Sequence, residues 1–143
     1  MSERQALNES EDELIDRARS TSATVLLVED FDEARFMIKL SLELGGYRVL
    51  EAVSRQEAVE IARRERLDLI LMDLDSPLLD GLAATRRIRD EAQLCDVPIV
   101  AVSPHATAEN QLKAFAAGCN EFVTKPIDLH KLKNVLDRLL DKG

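Results

Sequence analysis

Four short apolar runs in this chain each end in a polar group suited to phosphoryl or metal chemistry. The run TVLLVE (24–29) leads into Glu29 and Asp30. DLILMD (68–73) ends in Asp73, PIVAVS (98–103) in Ser103, and EFVTK (121–125) in Lys125. A fifth run, YRVLEA (47–52), ends without an evident functional group. Carboxylates brought close together repel each other, and a cation must hold them. All-oxygen ligands that keep several waters suit Mg²⁺. A carboxylate kept ionised there can act as a nucleophile. A lysine and a hydroxyl facing the same point suit the oxygens of a phosphoryl group. Together they describe transfer of a phosphoryl group to an aspartate, with Asp73 as acceptor.

Such a set works only if the elements carrying it converge. The runs are four to six residues long, rich in Val, Ile and Leu, and three are apolar at consecutive positions. Strands of a parallel sheet covered on both faces read this way. Longer periodic segments lie between them. One runs from about Asp32 to Leu44 and stops at Gly45 and Gly46. A second opens on a capping box framed by Ser54 and Glu57. A third follows Asp80 and Gly81. A fourth follows Ser103 and Pro104, with Pro near the first helical position, and ends at Gly118. The fifth carries Leu129, Leu132, Val135, Leu136, Leu139 and Leu140 on one stripe. Five β-α units imply an α/β fold with a doubly wound parallel sheet and right-handed crossovers. Ligands in such sheets bind outside the carboxyl ends of the strands, which is where these polar groups fall.

Composition narrows the function classes. The chain has 143 residues, 45% hydrophobic and 32% charged, which suits one globular domain. With 19 Lys and Arg against 27 Asp and Glu, its net charge of −8 argues against direct nucleic-acid binding. Cys95 and Cys119 form neither a CxxC pair nor a zinc spacing, which favours a cytoplasmic chain. No apolar run is long enough to span a membrane, and none before residue 25 reads as a secretory signal. Residues 1–22 are expected to form a polar tail, with a weak helical face at Leu14, Ile15 and Ala18, and 23–143 the domain.

The stretch DLILMDLDSPLLDG (68–81) resembles the phosphoacceptor segment of two-component response-regulator receiver domains. The resemblance covers residues 24–141. It includes Glu29 and Asp30, Asp73 with Pro77, Asp80 and Gly81 behind it, Ser103, and Lys125 with Pro126. It implies a five-stranded flavodoxin-like (βα)5 sheet in the order 2-1-3-4-5 and a switch rather than a classical enzyme. Asp73 would accept a phosphoryl group from a phosphohistidine on a histidine kinase or histidine phosphotransfer protein. Asp30 and Asp73 would bind Mg²⁺, with Glu29 acting through water and the backbone carbonyl of Asp75 completing the ligands. Lys125 would pair with Asp73. Ser103 would move toward the phosphoryl oxygens while Phe122 rotates inward. A cis peptide is implied between Lys125 and Pro126. The fourth helix, fifth strand and fifth helix (105–118, 121–125, 128–141) would form the face for a downstream protein target or a homodimer.

The chain departs from the family pattern in places. Pro104 removes a backbone N–H that the family offers to a phosphoryl oxygen. Asp75 adds charge at the mouth of the site, at a position that tunes acyl-phosphate hydrolysis in the family. Ser76 replaces a common apolar residue. His105 and His130 read as surface histidines. MDLDSPLLD also resembles the first motif of haloacid-dehalogenase-type phosphatases, with Asp73 as nucleophile and Asp75 as general acid/base. Against this, two β-α units precede the motif, Pro77 stands where that motif has a hydroxyl, and no later strand ends in an acidic pair. A degenerate receiver serving only as a protein-binding module is a third reading.

Overall fold

The computed structural model describes residues 23–76 and 79–140; the tail expected at 1–22 lies outside them. Five strands, β1 (Thr24–Val28), β2 (Arg48–Ala52), β3 (Leu69–Asp73), β4 (Ile99–Ser103) and β5 (Glu121–Thr124), alternate with five helices. The helices are α1 (Asp32–Leu44), α2 (Arg55–Arg64), α3 (Gly81–Asp90), α4 (Ala108–Ala117) and α5 (Leu129–Leu140). The strands form one sheet in the order 2-1-3-4-5, and every neighbouring pair is parallel. The expected α/β fold is therefore observed.

Successive side chains of a strand point to opposite faces, and the core divides accordingly. Leu26, Val28, Ile70 and Met72 pack with Ala58, Val59, Ala84, Ile88 and Ala114 of α2, α3 and α4. Val25, Leu27, Leu69 and Leu71 pack on the other face with Ile38 and Leu42 of α1 and Leu132 and Leu136 of α5. Since β1, β3 and β4 are buried at every position, their sequences need no polar alternation. Truncating one of these buried leucines to Ala would cost about 2–5 kcal/mol.

The starts of α2 and α3 are set by short polar side chains. Ser54 Oγ accepts the Glu57 N–H at 3.1 Å. Asp80 sits in the left-handed region at φ 51° and accepts the Ala83 N–H at 3.2 Å. The start of α4 departs from expectation. Pro104 is not near its first helical position: the helix begins at Ala108, capped by Thr107, whose hydroxyl accepts the Asn110 N–H at 3.1 Å. Asn110 and Gln111 then donate back to the carbonyls of His105 and Ala106. Thr107 can satisfy an orphan N–H at the helix start and Pro104 cannot, so the cap residue sets the boundary. Among the described residues, no helix is long and apolar enough to cross a membrane.

Candidate functional site

β1 and β3 are neighbours in register, with Val28 opposite Met72. Their carboxyl ends therefore deliver Glu29, Asp30 and Asp73 to one place. One carboxylate oxygen from each lies within 4.8 Å of the others. Glu29 is 1% exposed and Asp73 4%. Lys125, just past β5, reaches across β4 to both: its Nζ donates to Oε1 of Glu29 at 2.9 Å and to Oδ1 of Asp73 at 3.3 Å. The Lys125–Pro126 peptide is cis.

Three carboxylates against one ammonium leave a surplus of two negative charges when all are ionised, which a divalent cation would match. The donor set is all oxygen, as Mg²⁺ requires, so the residues fit such an ion. Burial pushes the Glu29 carboxyl above its usual range; Asp73 pushes the same way and Lys125 opposes both. Burial draws Lys125 down, but hydrogen bonding and attraction from Glu29 and Asp73 outweigh it, and the ammonium ends above the ordinary lysine value.

The loop after β3 folds back onto Asp73. The Asp75 N–H donates to Oδ1 of Asp73 at 2.9 Å. The Asp75 carboxylate points outward, 3.6 Å from Nε2 of exposed His105. Gly81 allows the closest approach: a Cβ there would stand 2.3 Å from the Asp73 carbonyl oxygen. Glycine is thus required where α3 begins beneath the strand end.

Ser103 ends β4 beside these groups and is 5% exposed. Its hydroxyl accepts the N–H of His105 at 3.1 Å, the first backbone donor available after Pro104. Phe122 is half-buried, in register with Ala101, and packs against the cluster under α2, α3 and α4. His130 is exposed on α5.

Two contributions were not read from the sequence, where Ser76 stood only as a departure from the family pattern and Arg35 was not singled out. Ser76, buried in the loop after β3, donates to Oδ2 of Asp30 at 2.5 Å. Arg35 of α1 binds the carbonyl of Glu29 at 3.1 Å and the carboxylate of Glu51 at 3.3 Å. Glu51, which ended the fifth apolar run without an apparent role, is also held by Lys39 at 3.2 Å. The sequence signal for Arg35 was slight: a cation one turn into a helix that follows two acids.

A sequence model of the response regulator receiver domain matches residues 25–137. The phosphate regulon transcriptional regulatory protein PhoB of Pseudomonas aeruginosa is 32% identical over 119 residues, covering 80% of this chain. The chain spans about half of PhoB, the match taking in 52% of it. The receiver domain of sensor histidine kinase PA1611 from P. aeruginosa PAO1 has a solved structure with a magnesium ion in its active-site cleft. It superposes with a TM-score of 0.78 and 36% identity, covering 85% of this chain and 99% of that one. The receiver domain of Ssk1 from Saccharomyces cerevisiae, solved with the histidine phosphotransfer protein Ypd1, gives a TM-score of 0.77 and 31% identity, over 82% of this chain and 88% of that one. With the family model spanning residues 25–137 and the parallel sheet running in the order 2-1-3-4-5, the chain belongs to the response regulator receiver domain family.

Proposed function

We propose that this receiver, a signalling switch of two-component systems, accepts a phosphoryl group on Asp73 from a phosphohistidine of a histidine kinase or histidine phosphotransfer protein. The observation that carries this reading is Lys125 Nζ, within hydrogen-bond range of both Asp73 and Glu29. In the transfer, a carboxylate oxygen of Asp73 forms the new O–P bond. The N–P bond of the donor breaks, and its electron pair leaves with the imidazole. Lys125 shifts its charge toward the incoming phosphoryl oxygens, and the Ser103 hydroxyl turns to donate to one of them. Asp30, Asp73, the backbone carbonyl of Asp75 and, through water, Glu29 would hold Mg²⁺, which when bound neutralises charge on the phosphoryl oxygens.

The switch then biases Phe122 inward and alters the face formed by α4, β5 and α5. Leu112 and Phe115 of α4 are 68% and 44% exposed, which supports a contact role there for a downstream protein or a second copy. A differential contact of a few kcal/mol is enough to invert such an equilibrium.

Incubation of the purified chain with acetyl phosphate and Mg²⁺ tests the reading. About one equivalent of hydroxylamine-labile phosphate should be trapped on the wild type, and none on Asp73→Asn or in excess EDTA. Labelling of Asp73→Asn would overturn the assignment of the acceptor. Turnover of many equivalents would instead point to an aspartyl phosphatase. No labelling from acetyl phosphate or from a phosphorylated donor protein would leave a protein-binding module.

A further inference from the structure

Ser76 lies in the loop after β3 and is 8% exposed. Its oxygen has two partners. The backbone N–H of Leu79 donates to it at 3.1 Å, and Oδ2 of Asp30 stands 2.5 Å away. A backbone N–H can only donate, so it takes a lone pair of the hydroxyl. A carboxylate can only accept, so the hydroxyl hydrogen goes to Asp30. The direction of both bonds is thereby fixed by the chemistry of the partners. The bond to Asp30 joins residues 46 positions apart and ties the loop after β3 to the loop after β1.

Asp30 is the most exposed acid of the cluster; Glu29 and Asp73 are buried. Repulsion from these two neighbours would turn a free Asp30 side chain toward water. The Ser76 hydroxyl opposes that rotation by holding Oδ2 of Asp30 at 2.5 Å. One Asp30 oxygen is engaged and the other is left for a ligand. Ser76 also immediately follows Asp75, so the same side chain sets the Asp75 peptide relative to Asp30. An apolar side chain at this position could supply neither bond.

We propose that Ser76 is a positioning residue for a divalent cation, holding the Asp30 carboxylate and the Asp75 peptide at the separation the ion requires. This rests on the reading above that Asp30 and Asp73 bind such an ion. Outer partners of metal ligands commonly contribute tenfold or more to affinity.

The probe is Mn²⁺, with the free ion followed by electron paramagnetic resonance during titration of the whole metal-free chain. Ser76→Ala should weaken binding by about tenfold. Ser76→Thr, which keeps the hydroxyl, should return to within about twofold of wild type. Ser76→Cys keeps the size but donates weakly; it should fall between the two, and it serves if Ser76→Ala fails to fold. In an Asp30→Asn background, Ser76→Ala should have little further effect, because the action runs through Asp30. Wild-type affinity in both Ser76→Ala and Ser76→Cys would overturn the inference while leaving the metal site standing. Tighter binding by Ser76→Ala would overturn it too, since the hydroxyl would then be competing with the ion. A wild-type chain that binds no Mn²⁺ would overturn the metal reading itself and the inference with it.

Discussion

Lys125 stands nearer to Glu29 than to Asp73, at 2.9 Å against 3.3 Å. One ammonium thus compensates two buried carboxylates, and Asp73 holds the longer share of it. The resemblance to the family had paired Lys125 with Asp73 alone.

Removing that ammonium should expose the cost of the cluster. Lys125→Met leaves two buried acids without a cation, and breaking buried pairs typically costs about 3–5 kcal/mol. We expect a loss of about 3 kcal/mol in urea unfolding at pH 7 in EDTA, and a smaller loss with Mg²⁺ present. An equal loss in both conditions would show that no cation is exchanged for the ammonium.

Glu29 should give the metal-free protein a pH dependence of unusual sign. Its carboxyl binds a proton more tightly in the folded chain than in the unfolded one. The stability it contributes is therefore fully present below the ordinary glutamate value of 4.5 and is lost as pH rises through the higher folded value. Lys125 is raised as well, but its contribution is lost only at alkaline pH. Glu29→Gln should thus gain on wild type as pH rises above about 4.5 in EDTA, by about 1.4 kcal/mol for each tenfold difference in proton affinity. Parallel stability curves for the two proteins would refute this.

Gly81→Ala should damage both fold and site. The added Cβ would meet the Asp73 carbonyl at 2.3 Å and Leu74 Cδ2 at 2.9 Å, and the nearer obstacle is backbone. We expect a loss of about 2–3 kcal/mol from overpacking and slower labelling by acetyl phosphate. Gly46→Ala is the contrast. Nothing lies within 4 Å, but φ is +94°, so the cost should be about 1 kcal/mol of backbone strain with labelling unchanged.

Pro104 leaves the Ser103 hydroxyl with the His105 N–H as its backbone partner. Pro104→Ala restores a donor where a phosphoryl oxygen would sit. A hydrogen bond to a charged group is worth about 1.5–3 kcal/mol when dry. Because Pro104 is exposed, about 1 kcal/mol, or roughly fivefold tighter BeF₃⁻ binding, is expected. Equal titration curves for the two proteins would make Pro104 a neutral loop residue.

Arg89 supplies a structural control. It donates to the carbonyls of Gly118 and Leu94 at 2.9 Å and to the side chain of Asn120 at 2.8 Å. Arg89→Ala should cost about 2–4 kcal/mol, from the loss of several charge-assisted bonds, and leave Mn²⁺ affinity within about twofold. A large loss of affinity would show that the turn before β5 positions Lys125.

The strands were legible because burial on both faces leaves β1, β3 and β4 no choice but apolar residues. The candidate site residues were legible for a related reason. Glu29 follows, and Asp73 and Ser103 end, strands buried at every position, so each breaks an apolar run abruptly. The start of α4 was misread because Pro104 and Thr107 are competing signals three residues apart. A fixed φ permits a helix to start, but a side-chain acceptor stabilises the start. The role of Ser76, and Arg35 altogether, were missed because their partners lie across loops. No periodicity encodes that Ser76 meets Asp30, or that Arg35 reaches the Glu29 carbonyl.

β5 has four residues and, among the described residues, lies at the edge of the sheet and pairs only with β4. An edge strand can detach at a lower free energy than global unfolding requires. Lys125 hangs from this strand, while both its acidic partners belong to the interior strands β1 and β3. A local opening of β5 would therefore withdraw the ammonium and leave the acidic cup assembled. Amide hydrogen exchange along β5 would then report how often the charge balance of the site is broken in a chain that is otherwise native.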